Sequence, residues 1–317
     1  MAKPVDLARI ERTLKEIPFP TRFAVELCAD CNLACSMCHH GAMRRPKGVM
    51  PFELWRKCAD EIAAVAPRTN VWFSFCGEPL LQPELLLRML EYGRDRGLRS
   101  QSVNTNGMYL VPELHDRLLD TGIERIVIGI DGFSADVYER IRIGARRDVV
   151  YENVERLLEA RHRRASGAEV IVQFIEMDEN QHEFPEYLAY WHERGATVKQ
   201  RNKLSWGGKF SSPLDIPLDD RIPFPWAMTL MHVFRDGRLP RCPGDTEGEE
   251  GAGNVWHESL SELWSRLGSY RNRHMAREFG QLPARCLECT DWTVGAADHI
   301  RPAREFGPGP GGGGTAR

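Results

Sequence analysis

Short apolar runs alternate with longer amphipathic segments along the first two thirds of the chain. Six runs rich in β-branched or aromatic residues predict strands at residues 23–27, 71–75, 99–104, 126–130, 170–174 and 197–201. Five segments with the apolar spacing of helices lie between them, at residues 51–66, 83–96, 112–121, 147–164 and 183–194. Strand and helix in steady succession are the signature of parallel βα units. The pattern therefore predicts an α/β fold, a partial (βα)6 TIM-like barrel with its site in the loops that follow the strands.

The alternation ends after about residue 215. A hairpin is predicted next, with its turn at Asp236 and Gly237. A helix is predicted to open at Ser259, because Glu262 three residues later completes the spacing of a capping box. The final stretch is too rich in Gly and Pro to pack. These shifts divide the chain into a lead (1–20), a barrel (21–214), a small second domain (215–305) and a disordered tail (306–317).

Composition indicates an ordinary globular protein. Of the 317 residues, 42% are hydrophobic and 27% are charged, and the net charge is -3. This balance argues against nucleic acid as a partner. No apolar run is long enough to span a membrane and no signal-type segment opens the chain, so we expect no membrane association and a cytoplasmic location. In a reducing compartment, the nine cysteines favour metal binding or thiol catalysis over disulfides.

Four of these cysteines lie within eleven residues, in the stretch C-A-D-C-N-L-A-C-S-M-C from Cys28 to Cys38. All four could ligate one metal, but their spacing fits neither a zinc ribbon nor the bacterial ferredoxin run. The alternative uses Cys31, Cys35 and Cys38, spaced C-x3-C-x2-C. Three thiolates on a [4Fe–4S] cluster leave one iron without a protein ligand, and such an open position suits substrate chemistry.

This motif and four others in the right order resemble the radical S-adenosylmethionine (SAM) superfamily. The other matches are F-C-G-E-P-L-L at 75–81, V-N-T-N-G at 103–107, I-G-I-D-G at 128–132 and Y-E-R-I-R at 138–142. The resemblance implies that Cys31, Cys35 and Cys38 hold a [4Fe–4S] cluster whose open iron binds SAM. In that family, reduction of the cluster cleaves SAM to methionine and a 5'-deoxyadenosyl radical, which takes a hydrogen atom from the substrate.

The same resemblance implies contacts with SAM or substrate for residues near the strand ends: Met37, Gly77, Glu78, Pro79, Asn104, Asn106, Asp131 and Gln173. The chain has Gly129 where many members have serine, so Gln173 is a candidate to replace the missing hydroxyl. An alternative stays open, since Asn and Asp often form turns and Met37 suits plain packing.

The C-terminal part resembles the auxiliary-cluster extensions called SPASM and Twitch. It has Cys242, Cys286 and Cys289, which is the smaller set expected of a Twitch-type auxiliary iron-sulfur domain. A fourth cysteine expected near residues 224–227 is absent from the sequence. The fourth ligand is then His232, Asp245 or Asp291, or the iron stays open to substrate, or the three thiols bind no cluster and form a small zinc site at most.

The resemblance implies a small polar substrate, expected to be a cationic amino sugar or aminocyclitol, and a flavodoxin- or ferredoxin-type reductant. Two outcomes stand foremost: a dehydrogenase that oxidises an alcohol to a ketone, and an epimerase in which a Cys76 thiol returns a hydrogen atom. Glu176 and Lys203 are the acid-base candidates. A diol dehydratase, a peptide-modifying enzyme of the SPASM type and a non-enzymatic iron-sulfur carrier remain alternatives. Cys28 and Cys58 are expected to be packing residues.

Overall fold

The structure is a computed structural model that describes residue 14, residues 17–210, residues 217–292 and the backbone of Glu305–Phe306. Its strands are β1 (Arg22–Val25), β2 (Asn70–Phe73), β3 (Gln101–Thr105), β4 (Arg125–Gly129), β5 (Glu169–Glu176), β6 (Thr197–Asn202), β7 (Leu230–Val233), β8 (Arg238–Pro240), β9 (Gly251–Asn254) and β10 (Glu305–Phe306). Its α-helices are α1 (Phe52–Val65), α2 (Pro83–Asp95), α3 (Pro112–Asp120), α4 (Ala135–Ile141), α5 (Arg147–Arg163), α6 (Phe184–Glu193), α7 (Pro225–Thr229), α8 (Leu260–Arg266), α9 (Gly268–Met275) and α10 (Ala284–Glu288).

Seven parallel strands form the central sheet, in the order β6-β5-β4-β3-β2-β1-β7, and β10 pairs antiparallel with the outer edge of β6. The six predicted strands are all present within a few residues of their expected bounds. The predicted α/β barrel fold is therefore confirmed. The carboxyl ends of the strands meet at one edge of the sheet, where ligand sites of such folds lie.

Successive side chains along each strand point in turn to the face of the sheet that the helices cover and to its inner face. On β5, Val170, Val172 and Phe174 belong to the main core, which the helices cover. Gln173 and Ile175 alternate with them and lie on the inner face. A polar side chain on the inner face near a carboxyl end is thus placed to meet a ligand.

The predicted hairpin around Asp236 is wrong in its pairing. The turn exists, with Gly237 at a φ of 86° and the Phe234 N–H donating to the Arg238 carbonyl at 2.9 Å. However, β7 pairs in parallel with β1, and β8 pairs antiparallel with β9. All four residues of β7 are buried, so this segment gains more by completing the central sheet than by forming a two-stranded ribbon with a solvated face.

The start of α8 packs on α1. The predicted capping box is present, because Ser259 and Glu262 bond each other's backbone N–H groups at the start of α8. Glu61 on α1 accepts hydrogen bonds from the N–H groups of Leu260 and Ser261, both at 2.8 Å. The barrel and the C-terminal segment are thereby joined.

The sheet continues past residue 214, where the predicted barrel ends, because β7 belongs to it. The division into domains stays a prediction. Most of the predicted lead and of the predicted tail lie outside the described residues. Among the helices that the structure describes, none has the length and apolar character needed to cross a membrane.

Candidate iron-sulfur and SAM site

The loop that follows β1 places three cysteines at the carboxyl edge of the sheet. Cys31, Cys35 and Cys38 are each partly exposed. The loop turns tightly between the last two, with the Cys38 N–H donating to the Cys35 carbonyl at 3.1 Å. The His40 N–H donates to the Cys38 Sγ at 3.5 Å. The thiols therefore lie on one short, hydrogen-bonded segment, as the proposed cluster requires.

One amide and one cationic group, from the residues that directly follow β3 and α4, reach the other two sulfurs. The Asn106 Nδ2 lies 4.0 Å from the Cys31 Sγ, and a guanidinium nitrogen of Arg142 lies 3.8 Å from the Cys35 Sγ. Donors near thiolates stabilise their negative charge. The Cys loop is thus surrounded by groups that fit thiolate ligands.

Cys28 and Cys58 do not join this set. Cys28 is buried beside β1, its backbone bridges to Val49, and its thiol donates to the Asp30 carbonyl at 3.7 Å. Cys58 is buried inside α1. Burial raises the pKa of both thiols, which favours the protonated form. Both residues pack as expected, and the four-cysteine alternative gains no support.

Gly77 marks the closest approach between the Cys loop and the loop after β2. Its φ is 101°, and a Cβ at this position would lie 2.0 Å from the Cys28 carbonyl oxygen. Phe75, two residues earlier, also has a positive φ of 113°. Only glycine fits at residue 77, so the two loops are locked together through backbone contact.

Glu78 braces this loop against the loop after β3. Its buried carboxylate accepts hydrogen bonds from the Thr105 hydroxyl at 2.7 Å and from the Asn106 N–H at 2.8 Å. Burial raises the pKa of Glu78, against the effect of these donors. The carboxylate is therefore engaged within the protein. The predicted contacts of Gly77, Glu78 and Pro79 with SAM stay predictions.

Asp131 is also engaged within the protein. It is completely buried, and one carboxylate oxygen accepts from Arg142 Nε and from a terminal guanidinium nitrogen, each at 2.6 Å. The other oxygen accepts from the Ile175 N–H at 2.7 Å. Burial alone would lower the pKa of the Arg142 guanidinium. The negative charge of Asp131 has the larger effect together with the other nearby groups, and the pKa is raised. Asp131 positions Arg142 rather than presenting a carboxylate to a ligand.

The absence of a side chain at Gly129 makes room for this arginine. A Cβ at Gly129 would lie 2.2 Å from a guanidinium nitrogen of Arg142. Where the family commonly has a serine, this chain therefore has the guanidinium of Arg142. Gln173 lies beside Gly129 in the sheet register, and its contact with SAM stays a prediction.

Asn104 and Met37 are both held by contacts within the protein. The side-chain Oδ1 of Asn104 accepts from the Trp72 Nε1 at 2.6 Å, which fixes the amide. Met37 is buried in a small apolar cluster with Val137, Ile141, Ile175 and Met177. The Met37 carbonyl accepts from the Trp206 Nε1 at 3.0 Å. Packing accounts for the position of Met37, and contact with adenine stays a prediction.

Cys76 lies between the Cys loop and a buried ion pair. Its side chain is buried, and the nearby charges come from Glu26, Arg45 and Cys38. Arg45 donates to both carboxylate oxygens of Glu26. Burial raises the pKa of the Cys76 thiol, which stays protonated.

The two acid-base candidates lie at the ends of neighbouring strands, because Glu176 pairs with Asn202, the residue before Lys203. The Glu176 carboxylate accepts from the Gln200 amide at 2.6 Å, and its position on β5 has the parity of Phe174, which faces the helices. The Lys203 ammonium lies 5.6 Å from the centre of the Phe210 ring. The catalytic roles of Cys76, Glu176 and Lys203 stay predictions.

The C-terminal cysteines line one pocket. Its empty space is about 490 Å³, part of it open to solvent, and its walls include Cys242, Cys286 and Cys289. The backbone N–H two residues after Cys242, and the one two residues after Cys289, donate to the respective sulfurs at 3.3 Å. The Tyr270 hydroxyl lies 3.6 Å from the Cys286 Sγ. Each thiol thus has one polar neighbour in a pocket whose donor set suits a cluster.

Three residues were candidates for the fourth ligand of the auxiliary cluster. Two of them bond groups within the protein, and the third does not line the pocket. The Asp245 carboxylate accepts from three backbone N–H groups and from Arg285 at 3.0 Å. The Asp291 carboxylate accepts from the Ser205 N–H at 2.7 Å and from one further backbone N–H at 3.1 Å. His232 is absent from the pocket wall, because it lies on β7 against the Phe75 and Phe234 rings.

The pocket contains one buried histidine that the sequence analysis did not single out. His274 on α9 lines the wall, and burial lowers its pKa to about 4. The signal available in the sequence was its position one helical turn after Tyr270. Within the described part of the chain, no three Cys, His, Asp or Glu side chains are arranged to hold a single metal ion. Ligands of a [4Fe–4S] cluster bind different irons and need no such arrangement.

Comparison with known proteins identifies the family. A model described as the Radical SAM superfamily matches residues 25–188, just over half of the chain. The AdoMet-dependent heme synthase of Methanosarcina barkeri is 32% identical over 124 residues, which are 39% of this chain and 34% of that protein. The probable GTP 3',8-cyclase of Methanococcus maripaludis is 25% identical over 183 residues, 56% of this chain and 57% of that protein. The chain thus spans about a third to just under three fifths of these relatives.

Solved structures with the same fold include two that were determined with ligands bound. BtrN in complex with AdoMet and 2-DOIA has a TM-score of 0.57 and 18% identity, over 84% of this chain and 92% of that chain. Streptococcus suis SuiB bound to the precursor peptide SuiA has a TM-score of 0.66 and 14% identity, over 88% and 71%. At these identities the likeness concerns the fold alone.

Proposed function

The chain belongs to the radical SAM superfamily, and we propose that it is an oxidoreductase that converts an alcohol of a small polar substrate to a ketone. The family uses a [4Fe–4S] cluster and SAM, which together supply a 5'-deoxyadenosyl radical able to abstract a carbinol hydrogen. The observation that carries the proposal is the C-terminal pocket, whose wall contains Cys242, Cys286 and Cys289.

Cys31, Cys35 and Cys38 would hold the cluster that binds SAM. The backbone of the loop at Gly77 would orient SAM, and its close contact with the Cys loop supports this role. Arg142 stays charged beside Cys35 because Asp131 compensates it. A fixed cation next to anionic ligands lowers the cost of assembling negative charge at this edge of the sheet.

Cys242, Cys286 and Cys289 would hold an auxiliary cluster, which supplies an acceptor for the second electron of an alcohol oxidation. The carboxylates of Asp245 and Asp291 remain with their backbone donors and preserve the shape of the pocket. Three cysteine ligands are therefore the set that the pocket supports.

The inner face of the barrel supports a hydroxyl-rich substrate. Asn104 and Gln173 present amide groups on this face, and amides both donate to and accept from hydroxyl groups. A cationic amino sugar would favour carboxylates around its ammonium groups, but Asp131 bonds Arg142 and Glu176 bonds Gln200. We therefore place recognition in hydroxyl contacts, with an amino sugar or aminocyclitol as one candidate.

The alternative is an epimerase that uses Cys76 as hydrogen-atom donor. The observation in its favour is the protonated state of this thiol, since only an S–H can return a hydrogen atom. Solvent deuterium separates the two reactions. Epimerisation is supported if deuterium enters a substrate carbon in the native protein and no longer does so in Cys76→Ala. Oxidation is supported if a ketone forms and no deuterium is incorporated.

The first test is anaerobic reconstitution with iron and sulfide, followed by SAM and a reductant such as reduced flavodoxin. We expect 5'-deoxyadenosine to form, and none in the variant with Cys31, Cys35 and Cys38 all changed to Ala. Iron counting tests the auxiliary cluster: Cys286→Ala should lose about half of the iron, because [4Fe–4S] ligation by cysteine fails when a ligand is removed. Cys58→Ala, which removes a buried cysteine of α1, is the matched control and should lose none.

A further inference from the structure

The wall of the C-terminal pocket contains a histidine with one unused ring nitrogen. His274 is 1% exposed, and its Nε2 has no hydrogen-bond partner among the described residues. Buried polar groups are almost always bonded, so an orphaned nitrogen in a pocket wall indicates a missing partner. The three cysteines of the proposed auxiliary cluster line the same pocket.

The hydrogen bond of the other ring nitrogen determines whether Nε2 is a donor or an acceptor. The Phe224 N–H donates to the His274 Nδ1 at 3.4 Å. A nitrogen that accepts a hydrogen bond carries no proton, and a neutral imidazole then has its proton on the opposite nitrogen. Nε2 is therefore an N–H donor. A histidine that ligates iron through Nε2 would instead need its proton on Nδ1.

The surroundings hold the ring in place. Tyr270 contacts it edge-to-face with ring centres 4.7 Å apart, and the Trp292 ring centre lies at 5.4 Å. Tyr270 and His274 are four residues apart on α9, so they share one face of the helix. The same face thus carries the Tyr270 hydroxyl, at 3.6 Å from the Cys286 Sγ, and the His274 N–H.

We propose that His274 is a positioning residue that donates a hydrogen bond from Nε2 to a sulfur of the auxiliary cluster and is not its fourth ligand. This inference rests on the auxiliary cluster of the proposed function. A hydrogen bond to a cluster sulfur favours the reduced, more negative state and raises the reduction potential. His274 would then help the pocket to accept an electron.

The test uses the full chain with Cys31, Cys35 and Cys38 changed to Ala, so that only the auxiliary cluster remains. Iron and sulfide are counted after anaerobic reconstitution, and the reduction potential is measured by titration followed by electron paramagnetic resonance. In this background, His274→Phe should keep the iron and shift the potential to a more negative value. His274→Gln, whose amide N–H reaches a similar position, should restore most of the shift.

His232→Phe is the matched control, because His232 is another buried histidine whose ring nitrogens have no hydrogen-bond partner in the described part of the chain, but it does not line the pocket. It should leave the potential unchanged. Loss of iron in both His274 variants would show that His274 is a ligand and overturn the proposal. An unchanged potential in His274→Phe would overturn it as well. A background chain that holds no iron would refute the auxiliary cluster itself, which is a distinguishable failure of the proposed function.

Discussion

Gly77 and Gly97 share a backbone conformation but differ in what surrounds them. Their φ angles are 101° and 93°. A Cβ at Gly77 would overlap the Cys28 carbonyl, whereas nothing lies within 4 Å of one at Gly97. Comparison of the two therefore separates the cost of a strained φ from the cost of forcing the Cys loop away.

We expect Gly97→Ala to cost about 1–2 kcal/mol of stability and to keep iron and SAM binding. Gly77→Ala should impair assembly of the SAM-binding cluster, because the loop after β2 can no longer approach the Cys loop. Iron content and SAM affinity of the two reconstituted variants check this. Equal SAM affinity in both would contradict the view that this contact shapes the site.

Asp131 and Arg142 form a pair that is nearly excluded from solvent, with side-chain exposures of 0% and 11%. Asp131→Asn leaves the guanidinium without its counter-charge, which typically costs about 3–5 kcal/mol. The exposed pair Asp136 and Arg140 on α4 offers a control, since Asp136→Asn should cost less than about 0.5 kcal/mol. Apparent melting temperatures of the reconstituted proteins measure the difference. A similar drop in melting temperature in both variants would mean that Asp131 does not balance the buried charge of Arg142 as described.

Residue identities at the site were predictable from the sequence, but their partners were not. The motif spacing located Asp131, Glu78 and the three cysteines of the first loop. Nothing in the spacing of the motifs indicated that Arg142 would form an ion pair with Asp131, because that contact depends on the space that Gly129 leaves for the guanidinium. His274 was missed for the same reason: its role depends on a pocket formed by distant segments.

At the scale of elements, periodicity located the six strands because five of them have buried residues on both faces of the sheet, and in β2 the buried Val71 and Phe73 alternate with less buried residues. The same reasoning misassigned β7, whose four residues Leu230–Val233 fit a hairpin strand as well as a sheet strand. The choice between these depends on the open edge of β1, which is more than two hundred residues away in sequence. Local pattern cannot report such a partner.

The junction between α1 and α8 also depends on distant residues. Glu61 accepts from the N–H groups of Leu260 and Ser261 and from the Ser261 hydroxyl at 2.9 Å, so it caps α8 from another helix. We expect Glu61→Ala to cost about 1 kcal/mol, the usual value of a helix N-cap. Glu53→Ala, on the exposed side of α1, should be close to neutral. Thermal unfolding of both variants checks the prediction, and equal melting temperatures would refute it.

At the scale of the whole molecule, buried histidines make stability depend on pH. Burial lowers the pKa values of four histidines: His39, His115, His232 and His274. The largest shift is that of His232, whose pKa falls from 6.5 to about 3 through burial and the nearby charge of Arg45. Between these two values the unfolded chain binds a proton that the folded chain does not. Stability therefore falls as the pH drops below 6.5 and is fully present above it.

The contribution of His232 can be isolated. Each pH unit below 6.5 costs up to about 1.4 kcal/mol for this residue alone, so His232 should account for roughly that amount of the stability that the native protein loses between pH 7.5 and pH 5.5. His232→Leu removes this titrating group and should reduce the loss by about the same amount, whatever its own effect at neutral pH. His257→Asn, a change at an exposed histidine, should retain the native slope.

The measurement is the apparent melting temperature of anaerobically reconstituted protein at pH 5.5 and 7.5, with iron-sulfur absorbance recorded to show that the clusters persist. A loss of about 1.4 kcal/mol corresponds to a few degrees for a chain of this size. If His232→Leu retained the full acid sensitivity of the native protein, His232 would have to be solvated or partnered in solution. The packing of its ring between Phe75 and Phe234 would then be wrong, and with it the closure of the barrel by β7.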